Sequence, residues 1–238
     1  MQAMIFAAGL GTRFKPWTDS HPKALAVVNG KSLLQRNVEY LRSFGIQKII
    51  VNVHHFPQQI LEAIDASGGW GADIAVSDES GQLLETGGGL LHAKDLFTAG
   101  ERLLTCNVDI LTDLDLDRLI RFHEEQKPMI TLAVTGRTTS RNFLFDETGR
   151  LCGWQNDVTG KVKMPVHVNS PVSKAYSGVA LFEPSIFEMI RQRGKFSLVD
   201  VYLALAAGHR VIGFDHTGGK FVDVGKPESV AIAESLFP

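Results

Sequence analysis

The sequence predicts an α/β fold with a Rossmann-like, mostly parallel mixed sheet flanked by helices, and three observations support this. Short apolar runs alternate with helix-period patterns over about residues 1–135. A loop with two glycines follows the first apolar run, as in α/β proteins that bind phosphate groups. The turn signals DETG and DVTG in the middle of the chain predict a β-hairpin insertion.

The elements of the first half alternate in type along the chain. The predicted strands cover residues 2–8, 48–53, 72–77, 102–108 and 129–135, and the predicted helices cover 32–45, 58–64, about 89–97, and 116–126. In the first helix Leu34, Val38 and Leu41 follow the i, i+4, i+7 spacing of a buried helix face. These residues are therefore predicted to lie in the core.

The second half starts with a change of pattern between about residues 141 and 174. The strand-like pieces FLFD, RLCGWQ and KVKMPVHV are separated by turns, which predicts hairpins lying over one edge of the sheet. A strand in AYSGVALF, helices in SIFEMIRQR and SLVDVYLALAAG, strands in RVIGFDH and KFVDV, and a helix from Glu228 towards Leu236 follow. Because no repeat or low-complexity linker is visible, residues 1–238 are predicted to form one domain.

Composition excludes several classes of partner. The 238 residues contain 24 Lys and Arg against 26 Asp and Glu, so the broad positive charge that nucleic-acid binding needs is missing. The two cysteines, Cys106 and Cys152, have no zinc-site or disulfide-framework spacing. The sequence shows no secretory leader and no long apolar run. We therefore expect a cytoplasmic protein with no membrane partner, present as a monomer or small homo-oligomer.

The glycine loop at residues 9–23 does not match two common nucleotide-binding motifs. A dinucleotide-binding G-x-G-x-x-G would need glycine where Phe14 stands. A G-x-x-x-x-G-K-[ST] loop ending at Gly30 would need glycine where Leu25 stands. Long irregular loops in compact domains are often functional, so the loop still favours a binding role over a simple surface connection.

The stretch GLGTRFKPWTDSHPKAL closely resembles the signature G-x-G-T-R-(x)n-P-x-T-x-x-x-P-K of the sugar-1-phosphate nucleotidyltransferases. The resemblance implies the nucleotide-diphospho-sugar transferase fold, with a nucleotide-binding core up to about residue 135 and a sugar-binding part beyond it. It implies that the glycine turn surrounds the phosphates of a nucleoside triphosphate. Arg13 would contact the departing pyrophosphate, and Lys23 the phosphate under attack.

Four further segments resemble the same family. LLETGGGLLHA at 83–93 is similar to the base-recognition segment, and CNVDILTD at 106–113 to the segment with a magnesium aspartate. AYSGVALFEP at 175–184 is similar to the strand beside the sugar pocket, and KFVDVGKPES at 220–229 to the segment with the second magnesium aspartate. The resemblance implies nucleotide-binding residues Ala8, Gly9, Gly11, Thr12, Arg13, Lys23, Glu85 and Gly88, and sugar-binding residues Asn107, Asn142, Ser177 and Gly178.

The residues themselves suit this chemistry. Transfer of a nucleotidyl group brings two anions together, so catalysis needs positioning and charge neutralisation. Asp109 and Asp223 each follow an apolar run that is predicted to end at the carboxyl edge of the sheet, and Mg²⁺ binds such carboxylates together with phosphate oxygens. A lone Asp after a strand more often caps a turn or helix, as expected for Asp115. Arg13, Lys23 and Asp109 are the predicted catalytic residues.

The segments ETGGG and FVDVG resemble most closely the short bacterial uridylyltransferases that act on N-acetylmuramic acid 1-phosphate. The resemblance implies UTP, Mg²⁺ and a role in cell-wall nucleotide-sugar biosynthesis. Mannose-1-phosphate guanylyltransferase, a CTP-dependent cytidylyltransferase and a non-catalytic nucleotide-sugar sensor remain alternatives. The chain departs from the family at Val108, where glycine is usual, and it contains no E-K-P stretch to supply a sugar-phosphate lysine.

Overall fold

A ten-stranded mixed sheet runs through the protein, whose computed structural model describes residues 1–238. The strands are β1 Gln2–Phe6, β2 Val27–Val28, β3 Lys31–Ser32, β4 Lys48–Val53, β5 Asp73–Asp78, β6 Leu103–Asn107, β7 Ile110–Thr112, β8 Ile130–Thr135, β9 Arg141–Phe145, β10 Leu151–Asn156, β11 Lys161–Lys163, β12 Val172–Phe182, β13 Val211–Asp215 and β14 Phe221–Asp223. The main sheet has the order β11-β10-β9-β12-β6-β1-β4-β5, and β8 pairs with both β12 and β13.

The sheet is parallel on one side and antiparallel on the other. Strands β6, β1, β4 and β5 are all parallel, with Ala3 of β1 opposite Leu104 of β6 and Ile49 of β4. Strand β12 is antiparallel to β6 and β9, and the hairpins of β9, β10 and β11 extend that edge. The carboxyl ends of β1, β4 and β6 therefore meet at one edge, where open α/β folds collect their ligands.

Helices cover both faces of the sheet. They are α1 Leu33–Ser43, α2 Pro57–Ala66, α3 Glu85–His92, α4 Leu116–Gln126, α5 Ile186–Met189, α6 Leu198–Ala206 and α7 Glu228–Leu236. The Ser32 hydroxyl caps α1 by accepting a bond from the Gln35 amide, and the Asp115 carboxylate caps α4. No helix combines the length and the hydropathy that a bilayer crossing requires.

The core consists of two apolar layers, one on each face of the sheet. Because side chains alternate along a strand, Ala3 and Ile5 enter one layer while Met4 enters the other. Helix α1 contributes Leu34 and Val38 to the first layer, and both are fully buried as predicted. Helix α6 contributes Tyr202 to the second layer.

The sequence predicts most elements, and the exceptions have physical causes. The helix predicted over about 89–97 is present with different bounds: α3 begins at Glu85 and ends at His92, and it includes three glycines, which are poor helix formers in isolation. SIFEMIRQR forms only the four residues of α5. The strand predicted in KFVDV is confirmed as β14, but the short strands β2, β3 and β7, and the two-stranded sheets β2–β3 and β7–β14, are absent from the prediction, since strands of two or three residues show little periodicity.

Candidate active site

The glycine loop after β1 is held by its own polar groups in three short 3-10 turns. Gly11 has φ +61°, and a Cβ there would lie 2.9 Å from Thr18 Cγ2 and 3.1 Å from Lys23 Cβ. The Thr18 hydroxyl donates to the Gly11 carbonyl at 2.9 Å. Only glycine fits this position, because the backbone is left-handed and both neighbours are in contact.

Lys23 forms an ion pair with Asp109, and both residues line one cavity beside the glycine loop. Its Nζ donates to Asp109 Oδ2 at 2.5 Å, and the two side chains are 10% and 23% exposed. Lys23 lies in the last 3-10 turn of the glycine loop, and Asp109 follows β6, so the pair joins segments 86 residues apart. A short, largely buried pair of this kind holds both charges in defined positions.

The small β7–β14 sheet brings Asp223 to Asp109. Asp223 pairs with Ile110, and the Val224 amide donates to the Asp109 carbonyl at 2.8 Å. Burial raises the pKa of the Asp223 carboxyl, and the Asp109 charge raises it further. Lys23, Arg13 and Arg137 act in the opposite direction. Asp223 thus ends a strand of the small sheet, and not, as predicted, one at the carboxyl edge of the main sheet.

A cavity of about 420 Å³ opens between the glycine loop, the ends of β1 and β6, and the start of α3. Nine of the predicted site residues line it: Ala8, Gly9, Gly11, Thr12, Arg13, Lys23, Glu85, Asn107 and Asp109. Gly225 also lines it, and a Cβ there would lie 2.6 Å from Asp223 Oδ1 and 2.8 Å from Arg13 Nη2. Arg13 and Asp223 therefore both border Gly225 at the edge of the cavity.

Five predicted residues lie outside the lining of this cavity: Asp223, which borders it through Gly225, and four others in different parts of the fold. Gly88 is buried in α3, where a Cβ would lie 2.3 Å from the Gly194 carbonyl oxygen. Ser177 is fully buried, with its hydroxyl 2.8 Å from His216 Nε2. Asn142 donates to the Thr139 carbonyl and to Asp157, on the hairpin side of β12. Gly178 lies beneath Asn107, with φ +73° and a Cβ position 3.1 Å from Asn107 Nδ2.

Two physical causes explain the positions of Gly88, Gly178, Ser177 and Asn142. Close backbone approach explains the glycines: Gly88 allows α3 to contact the Gly194 carbonyl, and Gly178 makes room for the Asn107 side chain. Ser177 and Asn142 satisfy internal hydrogen bonds, as buried polar groups must. The sequence pattern does not distinguish such packing residues from residues that face a cavity.

Sequence reasoning missed a buried polar chain that connects the two loops around the cavity. Asn52, 2% exposed, accepts from the Ala7 amide at 2.8 Å and donates to Glu79 Oε1 at 2.6 Å. Glu79, 3% exposed, accepts from the Leu84 amide at 3.2 Å. Both residues line the cavity, as do Leu83, Thr86 and Ser197. The polar Asn52 inside the apolar run KIIVNV is a sequence signal that could have located this residue.

Replacing Asn52 by alanine is expected to destabilise the protein by about 1–3 kcal/mol. The substitution removes the acceptor for the buried Ala7 amide and one donor to Glu79. Urea unfolding followed by circular dichroism measures the loss. Asn169→Ala is the control, since Asn169 is exposed and its side chain has no hydrogen bond in the structure. Equal stability of the two variants would contradict the assignment of this polar chain to the fold.

The carboxylates Asp109 and Asp223 are a donor set suited to a hard divalent ion. The structure contains no group of three or more His, Cys, Asp or Glu that could hold a metal unaided. Mg²⁺ does not need one, because it binds through one or two carboxylates together with substrate phosphates and water. The pKa of the Asp223 carboxyl is raised first by burial and then by the Asp109 charge, and a cation bound between the two carboxylates would offset both effects.

Comparison with known proteins agrees with this geometry. The model of the nucleotidyl transferase family matches residues 2–236. The chain belongs to this family. N-acetylmuramate alpha-1-phosphate uridylyltransferase of Caulobacter vibrioides is 32% identical over 98% of this chain and 95% of its own length. The catalytic subunit beta of mannose-1-phosphate guanylyltransferase from Dictyostelium discoideum is 27% identical over 100% of this chain and 64% of its own length.

Solved structures share the fold of this nucleotidyl transferase. The crystal structure of HddC from Yersinia pseudotuberculosis, complexed with GMP-PN, superposes with a TM-score of 0.78, covering 100% of this chain and 99% of the other. Its sequence identity is 22%. The family, the enzyme class and the fold predicted from the sequence are thus confirmed.

Proposed function

We propose that this nucleotidyl transferase joins UTP to N-acetylmuramic acid 1-phosphate, releasing pyrophosphate and forming the nucleotide sugar. One observation carries the proposal: Arg13, Lys23 and Asp109 converge on a single cavity that Ala8, Gly9, Gly11 and Thr12 of the glycine loop also line. Cations and backbone amides around a cavity suit a polyphosphate, and a nearby carboxylate pair suits its metal ion. The similarity to the Caulobacter uridylyltransferase supports the choice of substrates.

The reaction is an in-line displacement at the α-phosphorus. An oxygen of the sugar phosphate forms a bond to that phosphorus while the bond to the pyrophosphate oxygen breaks, and the electron pair leaves with pyrophosphate. Arg13 would hold the departing phosphates with its two-pronged guanidinium. Lys23 would neutralise charge on the α-phosphate as the displacement proceeds. The glycine loop would orient the triphosphate through backbone amides.

Asp109 and Asp223 would hold Mg²⁺, which supplies neutralisation of the phosphate oxygens when bound. Lys23 already donates to Asp109, so the lysine and the carboxylate pair are positioned relative to each other before substrate enters. Preorganised charges of this kind need little rearrangement during the reaction.

The proposal is tested by measuring pyrophosphate release with UTP, GTP and CTP against N-acetylmuramic acid 1-phosphate, N-acetylglucosamine 1-phosphate and mannose 1-phosphate. We expect Mg²⁺-dependent turnover that is fastest with UTP and the muramic acid derivative. Tight binding of a nucleotide sugar without turnover of any pair would instead indicate a sensor. Turnover in excess EDTA equal to that in Mg²⁺ would contradict the role of the metal ion.

GTP with mannose 1-phosphate is the second candidate pair. The mannose-1-phosphate guanylyltransferase subunit aligns over the whole of this chain, although at lower identity. Competition between equal concentrations of UTP and GTP distinguishes the two pairs.

Replacing Gly225 by alanine is expected to lower kcat/KM by about 100-fold. The added methyl would occupy the space between Asp223 Oδ1 and Arg13 Nη2, and both side chains would have to move. Gly208→Ala is the matched control, because no atom lies within 4 Å of a Cβ at that glycine. Both variants should melt at similar temperatures. Full activity of the Gly225 variant would show that this close approach is unimportant for turnover.

A further inference from the structure

A second cavity of about 270 Å³ adjoins the first one. It lies between the hairpin strands β9, β10 and β11 and the start of α6, and Ser197 lines both cavities. A single substrate that extends past Ser197 would therefore occupy both cavities. Since the first cavity has the predicted phosphate-binding residues, the second would receive a part of the sugar remote from its 1-phosphate.

Three cations on neighbouring strands line the second cavity. Arg141 of β9 and Lys161 of β11 both pair with Asn156 of β10, so these residues form one row across the hairpins. Lys163 pairs with Trp154 in the next row on the same face. Because the β-sheet register fixes both rows, the positive charges are a property of the hairpin region and not of one mobile side chain.

Only one of these cations is neutralised. Lys163 Nζ donates to Asp200 of α6 at 2.5 Å. The side chains of Arg141 and Lys161 have no hydrogen bond, and no carboxylate lies within 4.0 Å of either. The cavity thus contains two uncompensated positive charges, and its Trp154 ring offers an apolar surface against which a sugar ring can pack.

We propose that the second cavity binds a carboxylate carried by the sugar, with Arg141 and Lys161 as its partners. This inference rests on the proposed function and names the chemical class of its sugar: an acidic sugar 1-phosphate, as N-acetylmuramic acid 1-phosphate is. A planar carboxylate can accept two parallel bonds from a guanidinium. The proposal supplies a role for the 151–174 hairpin region, which sequence motifs leave without one.

The test compares two substrates that differ only in the carboxylate-bearing ether group. Steady-state kinetics with UTP are measured for N-acetylmuramic acid 1-phosphate and N-acetylglucosamine 1-phosphate, using wild type, Arg141→Gln and Lys161→Gln. We expect each variant to lower kcat/KM for the muramic acid derivative by about 10- to 100-fold, mainly through KM, and to leave the glucosamine derivative nearly unchanged. Arg118→Gln, an exposed arginine of α4 remote from both cavities, is the control.

The outcomes separate this inference from the proposed function. Equal losses for both sugars would show that these cations bind the 1-phosphate, and no loss for either would show that they bind nothing; both results overturn the inference while leaving the transferase reaction intact. Absence of turnover by wild type with every sugar would instead overturn the proposed function. In that case calorimetric titration of the two sugar phosphates decides the inference: weaker binding of the acidic sugar alone by Arg141→Gln supports it, and unchanged binding overturns it.

Discussion

Lys23→Met is expected to reduce kcat by about 10²- to 10³-fold, with a smaller change in the KM for the nucleoside triphosphate. Methionine keeps most of the apolar length of the side chain and removes the charge. The lost interaction should matter most in the transition state, when charge develops on the α-phosphate beside Lys23. Pyrophosphate release measured over a range of triphosphate concentrations separates the two parameters.

A matched control exists in the same loop. Lys15 forms an ion pair with Asp19 at 2.8 Å, but its side chain is 60% exposed and lies outside the cavity lining. Lys15→Met should therefore change activity little, because exposed ion pairs contribute at most about 1 kcal/mol. Thermal melting of both variants checks that the fold survives loss of the cation beside Asp109. Similar kcat values for the two variants would remove Lys23 from the reaction.

The order of elements could be read from the sequence because most of them bury a regular apolar pattern. Helix α4 spans residues 116–126 in both prediction and structure, and it combines a helical apolar period with the Asp115 cap. Helix α3 could not be placed correctly, since its glycines are stabilised by tertiary contacts. The Gly87 and Gly88 amides both donate to the Phe196 carbonyl, which lies 109 and 108 residues further along the chain.

The candidate site was predictable where residues form a local motif. The glycine loop with Arg13 and Lys23 is one continuous segment, and Asp109 follows a strand next to β1 in the sheet. Partners that depend on the fold were not predictable. Asn52 and Glu79 are hydrogen-bonded although they lie in segments far apart in sequence. Arg137 lowers the pKa of Asp223, and its guanidinium carbon lies 4.6 Å from the centroid of the Phe221 ring.

The cations around the second cavity could not be predicted either, for the same reason. Arg141 lies on a different strand from Lys161 and Lys163, and the hairpin sequence has no motif, so no local pattern indicates that the three cations face a common space. Strand register across β9, β10 and β11 is what aligns them. Chemistry that depends on register between strands has to be derived from the structure.

Asp109→Asn and Asp223→Asn are each expected to lower kcat on the order of 10³-fold, and the double variant should be no worse than the poorer single variant. If both carboxylates act by holding one Mg²⁺, removal of either disables the same ion, and the second loss has nothing left to remove. Asparagine keeps an oxygen that can accept from Lys23, so the fold should be preserved. The single variants should also need more Mg²⁺ for half-maximal activity.

Asp113→Asn is the control for this pair, because Asp113 is an exposed carboxylate immediately after β7 and lies outside the cavity lining. It should retain near wild-type kcat and Mg²⁺ dependence.

The kcat of the double variant, compared with the kcat of each single variant, then decides between two physical models. Losses that multiply in the double variant would mean that Asp109 and Asp223 act on separate partners, since independent interactions contribute additively to the activation free energy. The shared-ion model would then fail, even if each carboxylate were individually essential.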